Sequence, residues 1–205
     1  MVASKWDKCC PDAVQNPGKR LLMKHPSSRA FFAYWNRRRR GARAPDRADI
    51  DPAAVRHLLG DIFVISYQSG LPFRVAGTRV CALAGQDLKD RSFITLFSPQ
   101  CQSEIEEITA VVAEEAMAAI AGITTEQEGN GTAAHLELLL LPFNTRPHTP
   151  VSVTGVLASL DSDCARLSDF TLSSWRYLHR PESLMPRLIR KLKIARGLMV
   201  YEGLK

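Results

Sequence analysis

The residues that come nearest to reactive chemistry are His135, Leu136 and Glu137. Their His-x-Glu spacing is that of zinc deaminases, where the histidine holds the metal and the glutamate moves the proton. The Pro-Cys-x-x-Cys that must complete such a ligand set is missing. The histidines (His25, His57, His135, His148 and His179) stand singly, as surface or hydrogen-bonding groups do. The cysteines Cys9, Cys10, Cys81, Cys101 and Cys164 are odd in number and include no Cys-x-x-Cys pair, so reduced thiols are expected. Cys9-Cys10 is a weak redox or metal handle. Gly18-Lys19 is followed by Arg20, which lacks the hydroxyl a phosphate-cradling loop places on magnesium. Neither a Gly-x-Ser-x-Gly elbow nor a His-Glu-x-x-His pair occurs. The expectation is a chain without catalytic residues and without a metal site, hence not an enzyme.

Charge offers more than catalysis does. The net charge of +6 is unevenly spread. Arg37, Arg38, Arg39 and Arg40 form one basic block, followed by Arg43 and Arg47, and a basic tail runs through Arg187, Arg190, Lys191, Lys193 and Arg196. Glu104, Glu106, Glu107, Glu114 and Glu115 make the middle acidic. A basic surface attracts an acidic protein, anionic lipid or nucleic acid. The arginine block reads as a solvated helix end, a dock for an acidic partner, or a nucleic-acid contact, the last disfavoured because no nucleic-acid-binding motif accompanies it.

These groups must be carried by a folded domain. With 45 % hydrophobic residues the chain can fill a core. Its longest apolar runs are far too short to span a bilayer, and the N-terminus has no signal-peptide pattern, so a cytoplasmic location is expected. Residues 1–26 read as a loose leader. A helix is expected from a cap at Ser27 or Ser28, with an aromatic face of Phe31, Phe32, Tyr34 and Trp35, the arginines at its C-terminal end and Gly41 as its stop. Asp51-Pro52 caps a short helix ending at Gly60, closing an extension over 27–60.

Ile62–Tyr67 and Pro72–Ala76 form a hairpin, with Phe73 and Val75 expected on one face. Short helical runs follow over 79–91. A long helix opens at Ser98-Pro99 and carries Ile105, Ile108, Val112, Ala116 and Ala119 at helical spacing to about Gly122. Three strands then follow: Ile123–Glu128, Ala134–Leu141 and Val151–Leu160. The middle one is apolar on its even face, and its odd face turns apolar at Leu139 and Leu141, so half of that outer face needs a cover. Residues 61–160 thus form the core and 161–205 a C-terminal extension. A further extended piece is expected around Trp175. The tail reads either as a basic amphipathic helix on Leu184, Leu188, Leu192 and Ala195, suited to weak contact with a membrane surface or a partner, or as a strand at Leu198–Tyr201. The order describes an α+β domain: one five-stranded antiparallel sheet with helices on one face, plus the N-terminal helix.

The stretch from Phe73 to Phe93, with Gly85, Leu88 and the Arg91-Ser92-Phe93 turn, resembles the second strand and helical connection of PAS domains. More narrowly, the Phe31–Trp35 helix, the 46–60 segment and Ser174-Trp175-Arg176-Tyr177 resemble those of a bacterial family of short, stand-alone PAS proteins. The resemblance implies a role in signal transduction, often beside two-component histidine kinases controlling motility or the cell cycle. It names no cofactor. The Asn-Cys-Arg-Phe segment of flavin photosensors is absent, as is a histidine on the long helix for haem.

In the PAS register a pocket between sheet and helices would be lined by Val64, Val75, Cys81, Ile108, Val112, Leu138 and Val153, with Thr78 or Arg79 as a polar anchor. It reads either as filled core or as a site for a small apolar ligand. Phe31, Phe32 and Trp35 are expected to cover Leu139 and Leu141, in the same chain or across a homodimer. The leading expectation is a non-catalytic sensory or protein-interaction module. The alternative is a nucleic-acid-binding regulator using 37–47 and 187–196.

Overall fold

The computed structural model describes residues 23–127, 133–144, 150–161, 167–178, 189–193 and 199–203. Most of the expected leader lies outside them. Helix α1 spans Pro26–Arg38. Its cap is not a serine. His25 is the N-cap, its Nδ1 accepting from Ser27 N at 3.1 Å, and Pro26 occupies the first helical position, where a missing N–H costs nothing. Ser27 and Ser28 therefore lie inside the first turn, both buried.

Two 3₁₀ turns, Arg47–Asp49 and Pro52–Val55, lead to β1 (Ile62–Ser66) and β2 (Phe73–Ala76). Then come α2 (Thr78–Ala84), a 3₁₀ turn at Ile94–Leu96 and α3 (Gln102–Glu114). The strands β3 (Ala118–Gln127), β4 (Ala133–Pro142), β5 (Ser152–Ser159) and β6 (Leu167–Leu178) complete an antiparallel sheet of order β2-β1-β5-β4-β3-β6. The sheet has six strands rather than five, because the extended piece around Trp175 pairs along β3 as an edge strand.

α3 stops eight residues short of the expected end. Ala116 has φ +51°, which breaks the helical path, and Ala118–Gly122 already belong to β3. Alanines satisfy a helical period and a strand period equally well, so their spacing could not separate the two. Of the two readings of the tail the strand is the one found: Ile189–Lys193 (β7) pairs antiparallel with Met199–Gly203 (β8), so Leu192 is in a strand, not on a helical face. Leu184, Leu188 and Ala195 lie outside the described residues.

Strand alternation divides the apolar residues into two cores. On the inner face Phe63, Ile65, Leu136, Leu138, Leu140, Val153 and Leu157 pack under α2 and α3. On the outer face Ile62, Ile120, Leu139, Leu141 and Val156 pack under Phe31, Tyr34 and Trp35 of α1. Gly155 shows how tightly the inner layer is fitted. A Cβ there would lie 2.2 Å from the Leu139 carbonyl oxygen and 2.6 Å from the Phe63 ring, so glycine is what lets the ring lie against β5.

Candidate functional site

The interior is where a PAS pocket would lie. Ile108 and Val112 of α3, Leu138 of β4 and Val153 of β5 do meet there, all at most 2 % exposed. The space beside them is taken by aromatic rings. Phe63 and Phe93 stack at 5.4 Å between centroids, Phe73 meets both edge-on, Phe93 meets Phe97 at 5.2 Å, and Phe97 meets Phe170 of β6 at 5.8 Å. Ring contacts of this kind contribute roughly 0.5–1.5 kcal/mol each beyond the burial of the rings. They join β1, β2, the segment before α3 and β6 through one continuous aromatic layer.

Of the other expected lining and anchor residues, Val64, Val75, Thr78 and Arg79 lie outside this interior and Cys81 stands at its edge. Val64 and Val75 pair with each other on β1 and β2, but a bulge between Val64 and Ile65 shifts the register, and Val75 is 49 % exposed. Val64 shares the outer parity of Ile62, so the inward residues of β1 are Phe63 and Ile65. Thr78 is exposed at the first turn of α2. Cys81 is partly buried and packs against the inner core, and Cys101 is buried in it.

Arg79 points to the surface and forms an ion pair with Asp61. Asp61, just before β1, is a hub of the fold. It is almost fully buried, accepts from the Ser27 hydroxyl at 2.7 Å and takes both Nε and an NH2 of Arg79. Burial alone would raise its pKa. The hydrogen bonds from Arg79 and Ser27, with the nearby positive charge of Arg79, outweigh burial and hold the carboxyl below its ordinary 3.8. The network ties α1, β1 and α2 together.

Glu137 performs a similar task on β4. Only 4 % exposed, it accepts the backbone N–H groups of Lys24 and His25 just ahead of α1, the second at 3.0 Å. Its neighbour His135 lies at the surface, with Nδ1 3.4 Å from Asp161. The deaminase-like His-x-Glu is thus split between a surface pair and a helix latch, and among the described residues no three His, Cys, Asp or Glu converge on a metal position.

The expected interaction surface is largely consumed within the chain. Phe31 and Trp35 are buried on Leu139 and Leu141, Phe32 stacks against Trp35 at 6.0 Å, and Trp35 Nε1 donates to the Pro142 carbonyl at 2.9 Å. The arginine block is divided. Arg38 lies over the Tyr34 ring, and buried Arg39 donates to Asn36 and to the Ala42 carbonyl beside Trp35. Arg37 and Arg40 are exposed.

Two surface clefts were not apparent in the sequence. One, of ≈ 390 Å³, lies between the β1–β2 turn and α3, bordered by Tyr67, Glu106 and Glu107. The hydrogen bond from the Tyr67 hydroxyl to Glu114 is the main cause that raises the phenol's pKa above 10.0. The larger, of ≈ 490 Å³, opens beside the Arg47 turn where Ser66 of β1 pairs with Ser152 of β5, and Arg47, Arg74, Phe143 and Asn144 border it. The Asn144 N–H donates to the Pro45 carbonyl and its side-chain amide to Asp46, which fixes one wall.

The family model for the PAS domain matches residues 23–158. Similar solved structures include the LOV protein of Rhodobacter sphaeroides, at 12 % identity over 49 % of this chain and 60 % of that one with a TM-score of 0.36. They also include the VqmA dimer of Vibrio cholerae, described in the absence of its target DNA, at 12 % identity over 75 % and 61 % with a TM-score of 0.41. VqmA bound to DPO matches at 16 % identity over 53 % and 55 %, also at 0.41. The chain therefore spans less than two thirds of each of these proteins. A search of curated proteins finds no match. With about two thirds of its length matched, from the lead-in to α1 into the last residues of β5, the chain belongs to the PAS-domain family.

Proposed function

We propose that this chain is a non-catalytic PAS module of cytoplasmic signal transduction that works by docking on a signalling protein, with a two-component histidine kinase as the partner class and motility or the cell cycle as the controlled process. The observation that carries this reading is the aromatic interior. The volume a ligand-sensing PAS domain would open is occupied by Phe63, Phe73, Phe93, Phe97 and Phe170, each at most 2 % exposed. A module so filled communicates through its surface. The outer layer suits that role, because α1 is held by polar latches at Asp61 and Glu137 that a partner can compete for.

The nucleic-acid reading has less support, since Arg38 and Arg39 are engaged on Tyr34 and Trp35. The two readings separate in a binding assay. The immobilised full chain is exposed to purified kinase domains and, separately, to duplex DNA at two salt concentrations. The docking reading expects saturable kinase binding with shallow salt dependence. DNA binding that falls steeply with salt, with no kinase bound, would overturn it.

A further inference from the structure

We propose that the cleft between the Arg47 turn and the β1–β2–β5 end of the sheet is a binding site for a small organic or inorganic anion bearing a carboxylate or phosphate group. This deepens the signalling reading by giving the module an input, and rests on that reading only for what the bound anion would accomplish. Two guanidinium groups, Arg47 and Arg74, border the cleft from different segments, and neither has a hydrogen-bond or ion-pair partner among the described residues. Unpaired arginines far apart in sequence and brought to one concavity are the donors that planar carboxylate and phosphate groups fit.

An independent observation comes from Ser66. The residue is only 4 % exposed and lines the cleft, yet its hydroxyl has no partner among the described residues. The hydroxyl is open to the cleft, where it can donate to an acceptor. Phe143, Ala48 and Pro150 supply apolar walls. Two acids, Asp46 and Asp49, flank Arg47 in the same turn and keep their charge. Asp46 accepts from Asn144 at 3.0 Å, and Asp49 accepts from the Asp46 N–H at 3.1 Å, so both carboxylates are engaged in holding the turn. The ≈ 490 Å³ volume falls within the range of small-molecule sites, which favours a free anion over an acidic segment of a protein.

The test is an amide NMR titration of the ¹⁵N-labelled full chain with inorganic phosphate, with citrate and with a hexaglutamate peptide, each against sodium chloride at matched ionic strength. The proposal expects saturable shifts at Ser66, Arg74, Asn144 and Ser152 with phosphate or citrate. Arg74→Gln and Arg47→Gln should each weaken binding about tenfold, the contribution of roughly one charge-assisted hydrogen bond. Arg37→Gln, outside the cleft, should leave it unchanged. Shifts that track sodium chloride, spread over the arginine block or persist in Arg74→Gln would overturn the proposal. Saturation by hexaglutamate alone would overturn it in favour of an acidic protein segment. Failure at the cleft leaves the docking reading standing, whereas saturable shifts centred on Leu138, Val153 and Val112 would place a ligand in the interior and overturn both.

Discussion

The two faces of the sheet are built from different materials. The inner face is closed almost wholly by apolar side chains, with five phenylalanine rings in contact from β1 to β6. The outer face is closed by an amphipathic helix whose ring contacts are supplemented by polar ties: Asp61 to Ser27, Glu137 to the N–H groups of Lys24 and His25, and Trp35 to Pro142. Beyond the helix the same face is open at the cleft bordered by Arg47 and Arg74. Apolar packing is non-directional and close to all-or-none, so it suits the layer that must not change. Hydrogen bonds and ion pairs can be exchanged with water or a partner at small net cost, so they suit the layer that must respond.

Substitutions on the two faces should therefore differ in size and in kind. The largest loss is expected for Phe93→Ala, at the centre of the ring layer, about 3–5 kcal/mol by urea denaturation. A loss under about 1 kcal/mol would mean that the interior has slack enough to admit a ligand. Gly155→Ala should cost about 1–3 kcal/mol, because its Cβ meets a carbonyl oxygen as well as the Phe63 ring. On the outer face Trp35→Phe, which removes the bond to Pro142, should cost about 1–2 kcal/mol.

Asp61→Asn should cost less, about 1 kcal/mol, since the Arg79 guanidinium is more than half exposed and solvent screens the pair. Its signature is the pH dependence. The folded carboxyl titrates below 3.8, so its contribution is complete above that value and is lost as pH falls through the folded pKa. The urea midpoints of wild type and Asp61→Asn should differ by a constant amount at neutral pH and converge below about 3.8. A gap that widens on acidification would contradict the assignment. Smallest of all, Arg47→Gln and Arg74→Gln should shift stability by no more than about 0.5 kcal/mol, because neither side chain has a partner to lose among the described residues.

Much of this was legible in the sequence. The doubled apolar pattern of Leu138–Leu141 announced a strand with both faces covered, and the aromatic run Phe31–Trp35 announced the cover. Where the sequence misled, identifiable causes were at work. The alanines of 116–121 fit two periods. One bulge after Val64 moved Val75 to the surface. The hubs were silent because Asp61 and Ser27 are 34 residues apart and Glu137 and His25 are 112 apart. Glu137 stands beside His135 at the polar start of the outer face of its strand, so its burial was not legible in the sequence.

The central claim is that the interior is closed and the chain acts through its outer surface. Native mass spectrometry of the purified protein, followed by denaturing release, tests it most directly. The account predicts the mass of the bare polypeptide, or a multiple of it, with no apolar molecule released. A stoichiometric small molecule that survives dilution and is set free only on unfolding would contradict it.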